Sequence, residues 1–181
     1  MENGIRRFAG RIIAATMALM LCLPLARAAE SDAILLTVSD SAITDLAVLS
    51  VSYEFNRSGA THVGTGSGSG TVDARPLTIV RNVDEHTPFF LERAAKGNHI
   101  QEVTLSFTHD PGNTGSPVTY LQIVLTKVFV SGFRNSFQPV TGGLLPTEVL
   151  EFTYETVNLT SNHSPDGETG FGWNVSTNEQ L

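Results

Sequence analysis

Apolar and polar residues alternate with a period of two through much of the chain, and this pattern constrains the fold more than any other feature. In three segments every second residue is apolar, and the residues between them are Ser, Thr or Glu. Successive side chains of a β-strand point to opposite faces, so the pattern predicts half-buried strands. The apolar members are Leu49, Val51, Tyr53 and Phe55; Val103, Leu105 and Phe107; and Leu150, Phe152 and Tyr154.

A longer strand is expected at Val118–Val130, where apolar residues fall on both faces. We therefore expect this strand to be covered on both sides for part of its length. Leu121, Ile123 and Leu125 lie on one face, and Val124, Val128 and Val130 on the other. Shorter strands are expected at Ile34–Val38, Leu77–Arg81 and Phe171–Val175.

One helix is expected, and the sequence marks both of its ends. Thr87 suits the N-cap, Pro88 the first helical position and Gly97 the C-terminal cap. Its expected packing face consists of Phe89, Phe90, Leu91, Ala94 and Ala95. Together the segments predict a mainly β fold, a closed barrel or a sandwich with one short α-helix against it.

The first 28 residues have the three-part layout of a secretory signal peptide. Met1–Arg11 is basic, Ile12–Leu25 is apolar, and Ala26-Arg27-Ala28 fits a small-x-small cleavage signal. Cleavage between Ala28 and Ala29 would leave one domain, residues 29–181, and predicts a secreted protein. The apolar run is short for a membrane span, so no stable membrane anchor is expected.

Charge and cysteine content exclude several functional classes. The chain has 11 basic and 18 acidic residues, a net charge of −7. Four arginines and Glu2 lie in the leader, which leaves 7 basic and 17 acidic residues and a net charge of −10 for the mature chain. Nucleic-acid binding is therefore not expected, because it requires a basic surface. The single cysteine, Cys22, also lies in the leader, so disulfides and thiolate chemistry are not expected either.

No arrangement of residues indicates an enzyme, a metal or a cofactor. The histidines are scattered singly, and no serine lies in a G-x-S-x-G motif. Glu151 and Glu155 alternate on one predicted strand face, where a solvated stripe is the simpler interpretation; a glycoside hydrolase would need two carboxylates facing each other across a cleft. The five histidines are His62, His86, His99, His109 and His163.

Gly64–Gly70 alternates Gly with Thr or Ser and lacks the spacing of a phosphate-binding loop. Two interpretations remain open: a flexible loop, or an extended loop whose lack of side chains lets a neighbouring subunit approach closely.

Several short motifs follow one another in a specific order. They are Gly70-Thr71-Val72 after the Gly-rich run, Thr87-Pro88, Lys96-Gly97-Asn98-His99 and Gly172-Trp173-Asn174. In this order the segment Ile34–Val175 resembles the haemolysin-coregulated protein (Hcp) family, the tube-forming component of type VI secretion systems.

The resemblance implies a compact two-sheet β-barrel with one short α-helix, assembled into a hexameric ring. Such rings stack into a tube and carry effector proteins in the lumen. Sheath, spike and effector proteins are the partners that it implies. It also assigns an inter-ring role to the loop with Thr61, His62, Gly64, Gly66, Gly68, Gly70 and Thr71. The leader departs from the family pattern, because the family's tube is built in the cytoplasm.

A second hypothesis is an exported monomeric β-sandwich that binds glycans or a surface partner, as an adhesin does. The leader supports it, as do Phe133 and Phe137 if Ser131–Leu145 is a binding loop. The simpler interpretation of these two aromatic residues is packing beneath that loop.

Overall fold

The computed structural model describes residues 31–57, 71–111, 116–140, 143–162 and 168–181, with the side chains of all of these except 138–145. Strands account for most of the described residues, with one helix. The strands are β1 (Ser31–Val38), β2 (Leu46–Val48), β3 (Ser50–Ser52), β4 (Phe55–Arg57), β5 (Val72–Ala74), β6 (Leu77–Asn82), β7 (Ile100–Asp110), β8 (Val118–Val140), β9 (Gly143–Thr153), β10 (Thr156–Ser161), β11 (Thr169–Asn174) and β12 (Glu179–Gln180); the helix is α1 (Thr87–Lys96).

The described strands pair antiparallel in two main sheets that share β8. The first sheet has the order β12-β11-β10-β8-β7-β1-β2, and the second the order β8-β9-β6-β3. The first half of β8 pairs with β7 and β10, and its second half pairs with β9. Strands β4 and β5 form a separate two-stranded ribbon.

The predicted two-sheet β-barrel is confirmed as a barrel-like sandwich whose sheets do not close into a ring of paired strands within the described residues. The chain crosses between the sheets at Leu49, whose backbone N–H donates to the Val80 carbonyl oxygen at 2.7 Å. The predicted Leu49–Phe55 strand is therefore not continuous: Leu49 lies between β2 and β3, and β4 begins only at Phe55. Leu49 and Tyr53 are exposed as a result, at 55% and 45% of their surface.

The core lies between the two sheets, and α1 packs into it through Phe90. Strand β8 reaches the core from both of its halves because its alternation shifts at Lys127, which has φ 47°. Val128 and Val130 therefore turn to the same side as Ile123 and Leu125, whereas Val124 stays on the opposite face. Phe90, Phe152, Leu105, Ile123, Leu125 and Val128 are all buried in one cluster.

The helix begins one residue earlier than predicted, since His86 is the N-cap and Thr87, the predicted cap, is the first helical residue. Thr87 instead accepts a hydrogen bond at Oγ1 from the Asp84 N–H, at 3.1 Å. Gly97 ends the helix as predicted, with φ 66°, and its N–H donates to the Arg93 carbonyl oxygen. Leu91 and Ala95, expected on the packing face, are exposed.

Candidate assembly surfaces

The ribbon of β4 and β5 holds both ends of the predicted inter-ring loop. Arg57 pairs with Val72, so residues 58–70 connect two neighbouring backbone positions. The Val72 N–H also donates to Oδ1 of Asn178 at 2.9 Å, which ties the ribbon to the end of the chain. Of the predicted loop residues only Thr71 is described, and it is exposed. The others lie outside the described residues: Thr61, His62, Gly64, Gly66, Gly68 and Gly70.

The predicted cleavage residues Ala26, Ala28 and Ala29 also lie outside the described residues. In the described part of the chain, no helix is long and apolar enough to cross a membrane.

An apolar cavity of about 340 Å³ opens where the ribbon meets the first sheet. Five aromatic and five aliphatic side chains line it, and none of them is charged. Phe171 and Trp173 stack in parallel with ring centroids 6.2 Å apart, while Tyr53 and Phe55 meet edge to face at 6.5 Å. Burial, with a smaller contribution from nearby Tyr53, raises the pKa of Tyr154 to about 12. Tyr53 and Phe171 at the rim of the cavity are each 45% exposed.

The Ser131–Leu145 segment is not the binding loop of the second hypothesis. It contains the last part of β8 and the start of β9, which pair from Phe129↔Thr153 to Val140↔Gly143 in one long hairpin. Phe133 is partly buried against the core, which agrees with the simpler interpretation. Phe137 is 62% exposed, the largest exposed fraction among the big apolar side chains described.

The two outer strands of the second sheet are candidate edges for a neighbouring subunit. Among the described strands, β3 pairs only with β6. From Phe129 onward, β8 pairs only with β9. Such edges present backbone donors and acceptors to another chain. One edge lies at each end of the β8-β9-β6-β3 order, so the two edges are different surfaces.

Two motifs that are distant in the sequence meet at one groove of about 510 Å³. His99, from the Lys96–His99 motif, and Val175, which follows the Gly172–Asn174 motif, both line it. His99 lies 6.0 Å from Phe129 between ring centroids, and Lys127 Nζ lies 2.7 Å from Oε2 of Glu155. The sequence order alone did not show that His99 and Val175 border the same groove, because this depends on the pairing of β7 with β8, of β8 with β10 and of β10 with β11.

The carboxylates considered for hydrolysis do not share a strand face. Glu151 lies in β9, 3.4 Å from Nη2 of Arg134, whereas Glu155 lies after the strand and contacts Lys127. Each carboxylate is engaged by a cation on β8. Among the described residues, no group of three or more His, Cys, Asp or Glu side chains is placed to hold a metal ion.

Sequence reasoning missed a buried ion pair beneath the N-terminus of α1. Arg81 and Glu148 are both fully buried, with 2.6 Å between Nη1 and Oε1. Arg81 also pairs with Asp84, and its guanidinium lies 5.3 Å from the centroid of the Phe90 ring. Arg81 lies in the predicted Leu77–Arg81 strand, but its partner depends on the register of β6 with β9.

The family model described as "Type VI secretion system effector, Hcp" matches residues 39–160, more than half of the chain. No protein of curated function matches it in sequence.

Solved structures with the same fold include three type VI secretion proteins. Hcp1 from Salmonella typhimurium has a TM-score of 0.65 at 20% identity, over 83% of this chain and 99% of that one. A structure titled as a type six secretion system protein has a TM-score of 0.67 at 18% identity, over 83% and 100%. The secreted protein Hcp3 from Pseudomonas aeruginosa has a TM-score of 0.55 at 13% identity, over 81% and 98%. These likenesses show the fold, and the family match assigns the chain: it belongs to the Hcp family, the tube proteins of type VI secretion systems.

Proposed function

We propose that the mature chain assembles into rings of about six subunits, which stack into the inner tube of a type VI secretion system and carry effectors in the lumen. The family match over residues 39–160 is the observation that carries this proposal. Sheath, spike and effector proteins are the partners that it implies. The family is structural, which also supports a role without catalysis.

The edges of the second sheet support ring formation. A closed ring with cyclic symmetry needs two different surfaces on each subunit, one of which contacts the other surface of the next copy. Strand β3 and the second half of β8 provide two such surfaces at opposite ends of one sheet. We propose that the β8 edge of one subunit lies against the β3 edge of its neighbour.

The ribbon supports a separate contact between rings. Its two strands bring Arg57 and Val72 together, so the connecting residues 58–70 start and end at the same place on the subunit. We propose that this loop contacts the adjacent ring. Glycine at alternate positions suits that role, because the backbone of a neighbour can approach where no side chain intervenes.

Sedimentation velocity of residues 29–181 at two protein concentrations tests the ring. The expected result is a species of about six times the monomer mass, and electron microscopy would count the subunits. A monomer at both concentrations would contradict the ring and favour the exported monomeric module.

A deletion of Gly64–Gly70 tests the loop. Rings should persist, and stacks of rings should be lost from electron micrographs. A deletion of Gly112–Gly115, which shortens the connection from β7 to β8, is the control and should leave both unchanged. If the first deletion dissociates rings, the loop acts within a ring and the stacking role is wrong.

The leader is the part of the proposal that family membership does not explain. Proteins of this family leave the cell through the secretion machine, whereas a signal peptide leads to the general export route. We propose that the leader is cleaved between Ala28 and Ala29. Mass spectrometry of the protein from producing cells should find Ala29 at the N-terminus, and a secreted chain that retains residues 1–28 would show that the leader is not used.

A further inference from the structure

The ribbon of β4 and β5 carries the predicted inter-ring loop, and its two ends are held in different ways. At the end away from the loop, Phe55 follows β3 closely and Ala74 leads into β6, so the chain itself holds this end against the second sheet. The loop leaves from the other end, where Arg57 pairs with Val72. Neither strand of the ribbon pairs with any other described strand. The direction of the loop therefore depends on contacts other than sheet pairing.

Close packing does not fix the ribbon either. The apolar cavity of about 340 Å³ lies between the ribbon and the first sheet, lined by Phe55 and Val72 on one side and by Phe171 and Trp173 on the other. Protein interiors are normally packed as densely as organic crystals, so the walls of such a space lack contacts that would hold them in place. The ribbon can therefore tilt over the cavity with little loss of packing.

Asn178 supplies a polar contact at the loop end of the ribbon. Its side-chain Oδ1 accepts a hydrogen bond from the Val72 N–H at 2.9 Å, in a partly buried position. Asn178 has φ 58°, a conformation that asparagine and glycine tolerate better than other residues. The base of the loop is thus tied to the turn between β11 and β12.

The turn that presents Asn178 is itself held to the first sheet. Oδ1 of Asn174, the last residue of β11, accepts the Ser176 N–H at 2.9 Å. The Val175 N–H donates to the Glu155 carbonyl oxygen at 2.8 Å. Asn178 therefore acts from a fixed support, which a residue needs if it is to position another segment.

We infer that Asn178 is a positioning residue for the inter-ring loop: its side-chain oxygen fixes the ribbon over the cavity and so sets the direction in which residues 58–70 leave the subunit. This inference rests on the proposed contact of the loop with the adjacent ring, so the partner is a second copy of this chain. Loss of the acceptor should weaken the tie roughly 3- to 10-fold in each subunit, the value of one hydrogen bond. Because about six loops of a ring would act together, stacking should weaken by much more.

Two substitutions at one position separate the side-chain oxygen from the backbone. Asn178→Gly keeps the positive φ and removes the acceptor, whereas Asn178→Asp tolerates that φ and keeps an oxygen that accepts an N–H. Rings of the glycine variant should persist without stacking in electron micrographs, and rings of the aspartate variant should stack as the wild type does. Thr177→Gly is the matched control, because it adds a glycine at an exposed position of the same turn and leaves the Asn178 side chain in place.

Hydrogen exchange measures the tie in the subunit itself, whether or not rings stack. Exchange of the Val72 N–H, followed by mass spectrometry of a peptide covering residues 71–77, should be roughly 3- to 10-fold faster in Asn178→Gly than in the wild type. Asn178→Asp and Thr177→Gly should leave it unchanged. Far-UV circular dichroism would check that each variant folds.

Stacks formed by Asn178→Gly, or stacks lost equally in the glycine and aspartate variants, would overturn this inference, while the deletion of Gly64–Gly70 would still support the loop if it abolishes stacking. Wild-type rings that never stack would instead overturn the inter-ring role of the loop, and the positioning role of Asn178 with it.

Discussion

Arg81 and Glu148 are the residues on which the stability of the subunit depends most clearly. Both are fully buried, and they face each other across the pairing of β6 with β9. Burial raises the pKa of Glu148, although the hydroxyl of Thr87 and the charge of Arg81 oppose that change. At Asp84 burial acts in the same direction, but the hydrogen bonds from Arg81 and from the His86 N–H outweigh it and lower its pKa.

Removing Arg81 should be strongly destabilising. Arg81→Met leaves the Glu148 carboxylate buried without its cation, so the free energy of unfolding should fall by about 3–5 kcal/mol at neutral pH. Urea unfolding monitored by circular dichroism measures the loss. The double variant Arg81→Met/Glu148→Leu should recover most of it, because apolar residues replace both charges. A double variant as unstable as the single one would show that shape, not charge, sets the cost.

Glu148 should also make stability depend on pH. Its pKa is higher in the folded protein than the ordinary value of 4.5, so the folded state binds this proton more tightly. The stabilisation is complete below pH 4.5 and is lost as the pH rises through the folded pKa. The difference in unfolding free energy between wild type and Glu148→Gln should therefore decrease as the pH rises from about 4 to about 8. A constant difference would contradict the raised pKa. Asp84 contributes in the opposite sense, but it is present in both proteins and cancels.

Among the elements, β8 shows best what the sequence could and could not predict. Its apolar residues indicated a strand with two buried faces, and the structure instead turns Val128 and Val130 to the same core as Ile123 and Leu125 by a shift at Lys127. A single positive φ leaves no signature in the pattern of apolar residues. The strand also extends to Val140, because its pairing with β9 compensates for the weaker alternation after Val130. The end of α1 was easier to predict, since Gly97 has few alternatives at φ 66°.

The backbone at Lys127 gives a prediction at this scale. A β-branched residue is strongly disfavoured at φ 47°, so Lys127→Val should lower the free energy of unfolding by about 1–2 kcal/mol. Lys127→Asn is the control: it also removes the contact with Glu155, but asparagine tolerates positive φ. Urea midpoints compare the two variants with the wild type. Equal losses would indicate that the contact with Glu155, not the backbone, is what matters.

At the scale of the whole molecule, the strands, the helix and the family could be predicted from the sequence. Period-two alternation indicates a strand within a short stretch of residues, and the order of the motifs along the chain indicates the family. The aromatic cavity could not be predicted from the sequence, because Tyr53, Tyr154 and Phe171 come from three distant segments and meet only through sheet pairing. The same holds for the two edges of the second sheet. The surfaces that would join subunits are thus properties of the topology.

The charge of the mature chain leads to a prediction about assembly. Without residues 1–28, each subunit would carry a net charge of −10, so bringing subunits together in a ring would concentrate like charge. The proposed contact between sheet edges is made by backbone groups, so its strength does not depend on attraction between charged side chains. Raising the salt from about 20 mM to about 300 mM shortens the screening length several-fold, which should weaken the repulsion and shift the sedimentation profile toward rings. If the interface consisted mainly of ion pairs, the same change would dissociate rings. The direction of the salt effect therefore distinguishes a contact without charged side chains from an interface of ion pairs, without any substitution in the chain.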